Sequence, residues 1–365
     1  MKRALALLLL LAAPGVFAVA LGPEQRLART QSDVIVATAG GYVAFWNDGA
    51  DMKAVHIAPD GTMGAPATVV HDLYVGGAVR DGDSIVVIAE QSPGFLSPIE
   101  VFRVGPDLHL ASPIAIFGGG GQRPSIVADR GELFAGWLVG EQLFLAHLDP
   151  SLHAIRQKVF RLGTGVPRVG DFVLAPSVVG LLVAWNELIP CAPQVIACFP
   201  QTRVRAARVS FDLTADATGI DIGQPGSTVG GAWWDGAVWN VLWNDDRRTN
   251  LSRIDASGVL LDFAPRVLFE SPSLIYFGAR GVDGYVAAHF FGTSPSYVTG
   301  VVLARLTGDG VRQASLLSTI YDPIHIVPGA DGRALFGYND VSELNADYRI
   351  VDFNAEGGRP RPARR

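Results

Sequence analysis

The chain has 365 residues, 49% of them hydrophobic and 18% charged, with a formal net charge of -6. That apolar content excludes a disordered chain, and the acidic balance leaves no electrostatic footprint for nucleic acid. Length alone suggests more than one domain, but β architectures often exceed that prior as single units, and 42 Gly with 23 Pro describe a chain that turns often.

The first segment reads as a targeting signal. Lys2 and Arg3 form a charged start, Leu5 to Val16 an apolar stretch, and Ala18-Val19-Ala20 a small-residue cleavage site. Residues 1–20 are therefore expected to be removed, and a secreted or periplasmic bacterial location follows. No Cys lies at the junction to carry a lipid anchor. No membrane span is expected after cleavage: Phe172 to Trp185 is apolar, but Pro176, Ser177 and Gly180 break it into a hairpin.

Beyond the signal, three landmarks recur in fixed order. The first is a tight turn: Gly40-Gly41, Asp81-Gly82, Arg130-Gly131, Val179-Gly180, Asp235-Gly236, Asp283-Gly284 and Asp331-Gly332. Such pairs supply the positive φ that two-residue hairpins need. Each is followed by an apolar strand, as in Val43 to Asp48, Val86 to Glu90, Phe134 to Trp137, Val183 to Glu187, Val241 to Asp245, Val286 to His289 and Leu335 to Asp340. A second turn then follows, among them Pro59-Asp60-Gly61, Pro106-Asp107, Asp149-Pro150 and Gly308-Asp309-Gly310.

All three landmarks count to seven, at a period of about 49 residues. No segment keeps a helical period. Each unit reads as four strands, A to D: a small apolar strand A, a strand B that often carries Trp, an alternating strand C and a short strand D. The expected fold is an all-β, seven-bladed β-propeller of four-stranded antiparallel blades over residues 21–357. Two β-sandwich domains are the alternative, but they generate no seven-fold period. The last unit lacks a strand D, and Gln25 to Arg29 resembles the D strands Ala67 to Val70 and Gln157 to Phe160. That N-terminal strand is expected to complete the last blade and close the ring. Residues 358–365 form a basic, Pro-rich tail expected to be disordered.

These units resemble the propeller-type repeats of secreted bacterial proteins, in which an apolar strand ends in Trp-x-Asp or Trp-Asn-Asp and an Ala-Arg-hydrophobic strand follows. Ala44 to Asp48 with His56 to Gly61, Val183 to Glu187 with Ala206 to Val209, and Val241 to Asp245 with Ser252 to Gly258 carry the resemblance. It implies architecture rather than activity, because such repeats host many functions. The sialidase-type Asp-box is absent, and Asp352 to Gly357 reads as a turn rather than a calcium loop.

Chemistry, if present, is expected on the face of the B–C and D–A loops, whose lengths vary. The starts of the A strands should rim the central channel, giving Asp33, Tyr74, Arg123, Asp171, Thr228, Tyr276 and His325 as candidate ligand contacts. The B–C loops add Asp245, Asp246, Arg247 and Asp340. The polar pairs after Trp, such as Asn47-Asp48 and Asn186-Glu187, read as Asx turns, the alternative being a ring of acceptors for sugar hydroxyls or a cation. Trp233, Trp234 and Trp239 cluster at one hairpin, where stacking on a sugar competes with packing between blades.

Cys191 and Cys198 are the only cysteines and are expected to form a loop disulfide. No metal ligand set, nucleophile motif or phosphate loop is present, so neither cofactor nor metal is expected. The expectation is a monomeric, non-enzymatic binding or scaffold protein for a carbohydrate, a surface polymer or a protein. The alternative is a polysaccharide hydrolase or lyase, which needs two carboxylates about 5–10 Å apart at the channel mouth.

Overall fold

The computed structural model of the chain describes residues 20–28, 34–91, 97–118, 121–140, 142–161, 171–189, 201–215, 219–245, 247–270, 272–291, 298–317, 321–329, 332–340 and 345–354. Two short strands open it, β1 (Ala20–Leu21) and β2 (Gln25–Ala28). Seven antiparallel sheets then follow in chain order.

Blade 1 holds β3 (Val34–Thr38), β4 (Gly41–Asp48), β5 (Asp51–Ile57) and β6 (Ala67–His71). Blade 2 holds β7 (Tyr74–Asp81), β8 (Ser84–Glu90), β9 (Ile99–Val104) and β10 (Ala115–Phe117). Blade 3 holds β11 (Gln122–Asp129), β12 (Glu132–Val139), β13 (Gln142–Leu148) and β14 (Ala154–Arg161). Blade 4 holds β15 (Phe172–Ser177), β16 (Gly180–Ile189), β17 (Gln201–Val209) and β18 (Ile220–Asp221). Blade 5 holds β19 (Thr228–Trp234), β20 (Trp239–Asn244), β21 (Arg248–Ile254) and β22 (Arg266–Glu270). Blade 6 holds β23 (Pro272–Arg280), β24 (Asp283–Phe291), β25 (Val298–Thr307) and β26 (Gly310–Leu317). Blade 7 holds β27 (Tyr321–Pro328), β28 (Arg333–Asp340) and β29 (Asn345–Asp352).

The seven-bladed propeller is therefore the fold. Its B strands are buried on both faces, which is why they read as continuous apolar runs: Tyr42 to Trp46 are all buried, as are Ile85 to Ala89. The hydrophobic clusters sit between blades rather than within them. Trp46, Trp137, Trp185 and Trp243 occupy the same strand position, and each packs against the preceding blade; Trp137, for example, joins Ile88 and Ile99 of blade 2. The A strands are small because they crowd the axis. A Cβ on Gly231 would lie 2.2 Å from a Phe277 ring carbon, and one on Gly278 would lie 2.2 Å from the Ile326 carbonyl oxygen.

Two repeated devices fasten the ring. On strand C, His56 of blade 1 and Arg103 of blade 2 occupy equivalent positions, opposite Val43 and Val86. Each reaches a proline carbonyl in the C–D turn of the next blade, His56 to Pro106 at 2.8 Å and Arg103 to Pro150 at 3.0 Å. At the C–D turns, Leu108, Leu152 and Leu213 hold positive φ of 64°, 68° and 59° while their side chains are at most 3% exposed. Core packing holds a residue type that this backbone region disfavours.

The last blade closes as expected, through β2 paired with β29 at Gln25↔Tyr348 and Arg26↔Asp347. The strand β1 was not expected: Ala20 pairs with Asp352 and Leu21 with Val351, across the junction at which cleavage is expected. Glu24 fixes the closure, accepting hydrogen bonds from the Tyr338 hydroxyl at 2.8 Å and the Arg349 guanidinium at 2.5 Å. The Tyr348 hydroxyl donates to the Gly61 carbonyl of blade 1 at 2.9 Å. No helix among the described residues is long and apolar enough to cross a membrane. The signal segment before residue 20, the tail after residue 354 and both cysteines lie outside the described residues.

Candidate functional site

The A strands run along the channel, so their starts mark one mouth and the A–B turns mark the other. At the first mouth, Tyr74 and Thr228 begin β7 and β19, Arg123 is the second residue of β11, and Asp171 directly precedes β15. Arg123 of blade 3 and Asp171 of blade 4 come together as an ion pair, both more than half exposed. Asp33 lies outside the described residues.

Two rim assignments need correction. Tyr276 is the fifth residue of β23, opposite Ala287, and packs into the cluster between blades 6 and 7. His325 is the fifth residue of β27, opposite Gly337, and is half-buried. In both blades strand A starts four residues before the position counted, because it ends earlier than the Asp-Gly pair from which the count began, at Arg280 rather than Asp283 and at Pro328 rather than Asp331.

The loop assignments also shift. Asn244 ends β20 and Arg248 starts β21, so the blade 5 loop is a tight turn between them. Asp245 builds it as an Asx turn, its Oδ1 accepting from the Arg247 amide at 2.8 Å. Its Oδ2 accepts from Asn250 Nδ2 at 3.2 Å. Arg247 is exposed, and Asp246 lies outside the described residues. Asp340 ends β28 opposite Asn345. Residues 92–96, 190–200, 292–297 and 341–344 also lie outside the description.

Asn47 and Asn186 do not make Asx turns. Asn47 Oδ1 accepts from the Val75 amide at 3.1 Å, and its Nδ2 donates to the Leu73 carbonyl at 2.8 Å. Asn186 Oδ1 accepts from the Val229 amide at 2.7 Å. Both therefore pin strand A of the next blade. Blade 2 carries Glu90 at this position, opposite Tyr74. Glu90 is 9% exposed, and its Oε2 is buried with no partner. Burial pushes its carboxyl from the ordinary 4.5 up to about 7. The signal was present in the sequence as a carboxylate where sister blades carry Asn.

A large space lies along the channel and reaches the opposite mouth. It is a cavity of about 920 Å³ walled by the A strands of blades 2 to 6 and reaching the A–B turns at Arg130, Val178, Gly236 and Val282. Small and apolar side chains make most of the wall. Among the described residues, Asp129 is the only carboxylate on it, and Arg130 and Arg280 are its cations. Trp234 also lines it, set by an edge-to-face contact with Trp239 at 4.9 Å between ring centres. Trp239 is buried and donates from Nε1 to the Ala175 carbonyl at 3.1 Å. Trp233 donates to the Val282 carbonyl at 3.1 Å, which ties the blade 6 turn beside Arg280 to blade 5.

Sequence reasoning chose the opposite face, because its loops vary in length, whereas these turns look like plain hairpins. Among the described residues no group of three or more His, Cys, Asp or Glu is placed to hold a metal ion.

No known protein family matches the sequence, and no curated protein matches it either. Solved structures are similar in shape alone. The WD40 domain of Toxoplasma gondii coronin superposes with a TM-score of 0.60 at 13% identity, covering 92% of this chain and 86% of that one. The WD40 β-propeller domain of Doa1 gives 0.52 at 12% identity, covering 93% and 97%. Hydrazine synthase of Kuenenia stuttgartiensis gives 0.51 at 13% identity, covering 86% and 94%. Likeness at this identity speaks for fold and not for chemistry, so the chain stands as a seven-bladed β-propeller resembling those of WD40 proteins.

Proposed function

We propose that the protein is a secreted, non-enzymatic binding protein whose ligand enters the central channel. The observation that carries this reading is the cavity of about 920 Å³, sized for a small ligand or the end of a chain and lined, among the described residues, by one carboxylate. Glycoside cleavage by the usual route needs two carboxylates flanking the scissile bond. Asp171, the described rim carboxylate nearest that role, is engaged by Arg123. The leader pattern of residues 1–20 supports an extracytoplasmic location.

The test is thermal unfolding of the protein against neutral and acidic oligosaccharides, peptides and calcium, repeated with Ala279→Trp. Ala279 is exposed on the cavity wall, so the indole fills the space without displacing core. A ligand at a hundredfold excess over its dissociation constant stabilises the wild type by about 2.7 kcal/mol. The reading expects that gain to vanish in the variant. A gain of equal size in both proteins, or none with any probe, overturns it.

A further inference from the structure

The mouth at the A–B turns is asymmetric in a way that the repeat does not require. Scaffold arginines are bonded: Arg103 to Asp81 at 2.6 Å, Arg253 to Asp262 at 2.8 Å, Arg305 to Asp283 at 2.5 Å. The guanidinium groups of Arg130 and Arg280, by contrast, make no hydrogen bond or ion pair with any described side chain, and both residues line the cavity. They stand on blades 3 and 6, and Trp234 of blade 5 lines the same cavity.

Arg130 also occupies a position that its residue type does not favour. It has φ of 51°, followed by Gly131 at 85°, the pattern of a two-residue hairpin turn in which Asn or Gly is preferred at the first place. Nothing in the packing calls for Arg here, since the residue is exposed. At the C–D turns the left-handed residues Leu108, Leu152 and Leu213 each fill a core instead.

We propose that this mouth binds a uronate-containing oligosaccharide, with Arg130 and Arg280 taking carboxylates of the chain and Trp234 stacking on a sugar ring. The proposal rests on the channel reading above and adds the ligand class. A guanidinium offers paired donors that match a carboxylate, and an indole offers a flat apolar face to a pyranose. Two guanidiniums against the single carboxylate of Asp129 favour singly charged groups spaced along a chain over one compact, multiply charged phosphate. Asp129 supplies an acceptor for sugar hydroxyls.

The experiment is calorimetric titration with hexamers of galacturonate, mannuronate and glucuronate, each beside its carboxyl-reduced, uncharged form, and with a sulfated hexamer. Wild type is expected to bind at least one uronate hexamer about tenfold or more tightly than its reduced form, with affinity falling as salt rises. Arg130→Asn and Arg280→Gln should each weaken the uronate about tenfold and leave the reduced form unchanged. Arg130→Asn suits the turn, so its thermal midpoint should be no lower than that of wild type, which separates lost contact from lost fold.

Equal binding of charged and reduced hexamers, with both lost in Ala279→Trp, overturns the uronate assignment and leaves the channel reading standing. Uronate binding untouched by Ala279→Trp and by both arginine variants overturns the two together. A preference for the sulfated hexamer over every uronate, or no binding of any hexamer, overturns the uronate assignment.

Discussion

Asn186 in blade 4 accepts a hydrogen bond from the backbone amide of Val229 in blade 5, 43 residues on, at 2.7 Å. The acceptor is 3% exposed, so water does not replace it readily. Asn186→Ala should lower stability by about 1–3 kcal/mol, the cost of a buried amide left without a partner. Urea unfolding monitored by tryptophan fluorescence reads the change. Asn47→Ala, which loses two such bonds to blade 2, should cost at least as much.

Glu90 sets a pH dependence of definite sign. Its carboxyl keeps a proton in the folded state up to about 7 and releases it near 4.5 when exposed. The folded state therefore holds more protons between these values, and stability falls as pH rises through the window. The loss should amount to about 1–3 kcal/mol, and Glu90→Gln should remove it. Chemical denaturation of both proteins at pH 4.5, 6 and 8 tests this. A wild-type profile parallel to that of the variant would sink the assignment.

Leu152 has φ of 68° and is fully buried. Either truncation forfeits the side chain, at about 2–5 kcal/mol. Glycine alone is relieved of the left-handed backbone penalty. Leu152→Gly should therefore be more stable than Leu152→Ala by about 1 kcal/mol, the reverse of the order in an ordinary strand. Paired denaturation curves decide it.

The closure of blade 7 is open to direct test. Removing residues 20–28 strips the partner from β29 and leaves a three-stranded edge. The deletion variant should unfold at lower temperature and self-associate in size-exclusion chromatography. Tyr348→Phe is the milder probe. It removes the bond to Gly61, whose carbonyl lies across the seam with blade 1, and should cost about 1 kcal/mol.

The architecture was legible because it is repetitive. Turn chemistry at Gly82 and Gly131, and Trp at a fixed strand position, each recur through local rules, although in blade 6 the turn is Gly281-Val282 and the expected Asp283-Gly284 pair starts strand B. Even the closing strand could be read, from the likeness of Gln25 to Ala28 to other D strands. The polar assignments were harder. Asn47 was read through its neighbours in sequence, whereas its partners, Leu73 and Val75, belong to the next blade. Tyr276 failed for a different reason: the count began at Asp283-Gly284, whereas strand A ends at Arg280 and the turn is Gly281-Val282. Arg123 and Asp171 lie 48 residues apart, and only the curvature of the ring brings them into contact.

The seam between the two chain ends has a consequence for synthesis. Leu21 is made 330 residues before its partner Val351, so β1 waits unpaired while all seven blades are made. Six blades can form from contacts between neighbours in sequence, but the seventh depends on the most distant pairing in the molecule. Until it forms, β29 presents a free backbone edge that a second chain could occupy with its own first strand. Whatever retains or releases the leading residues therefore governs when, and with which copy, the ring is sealed.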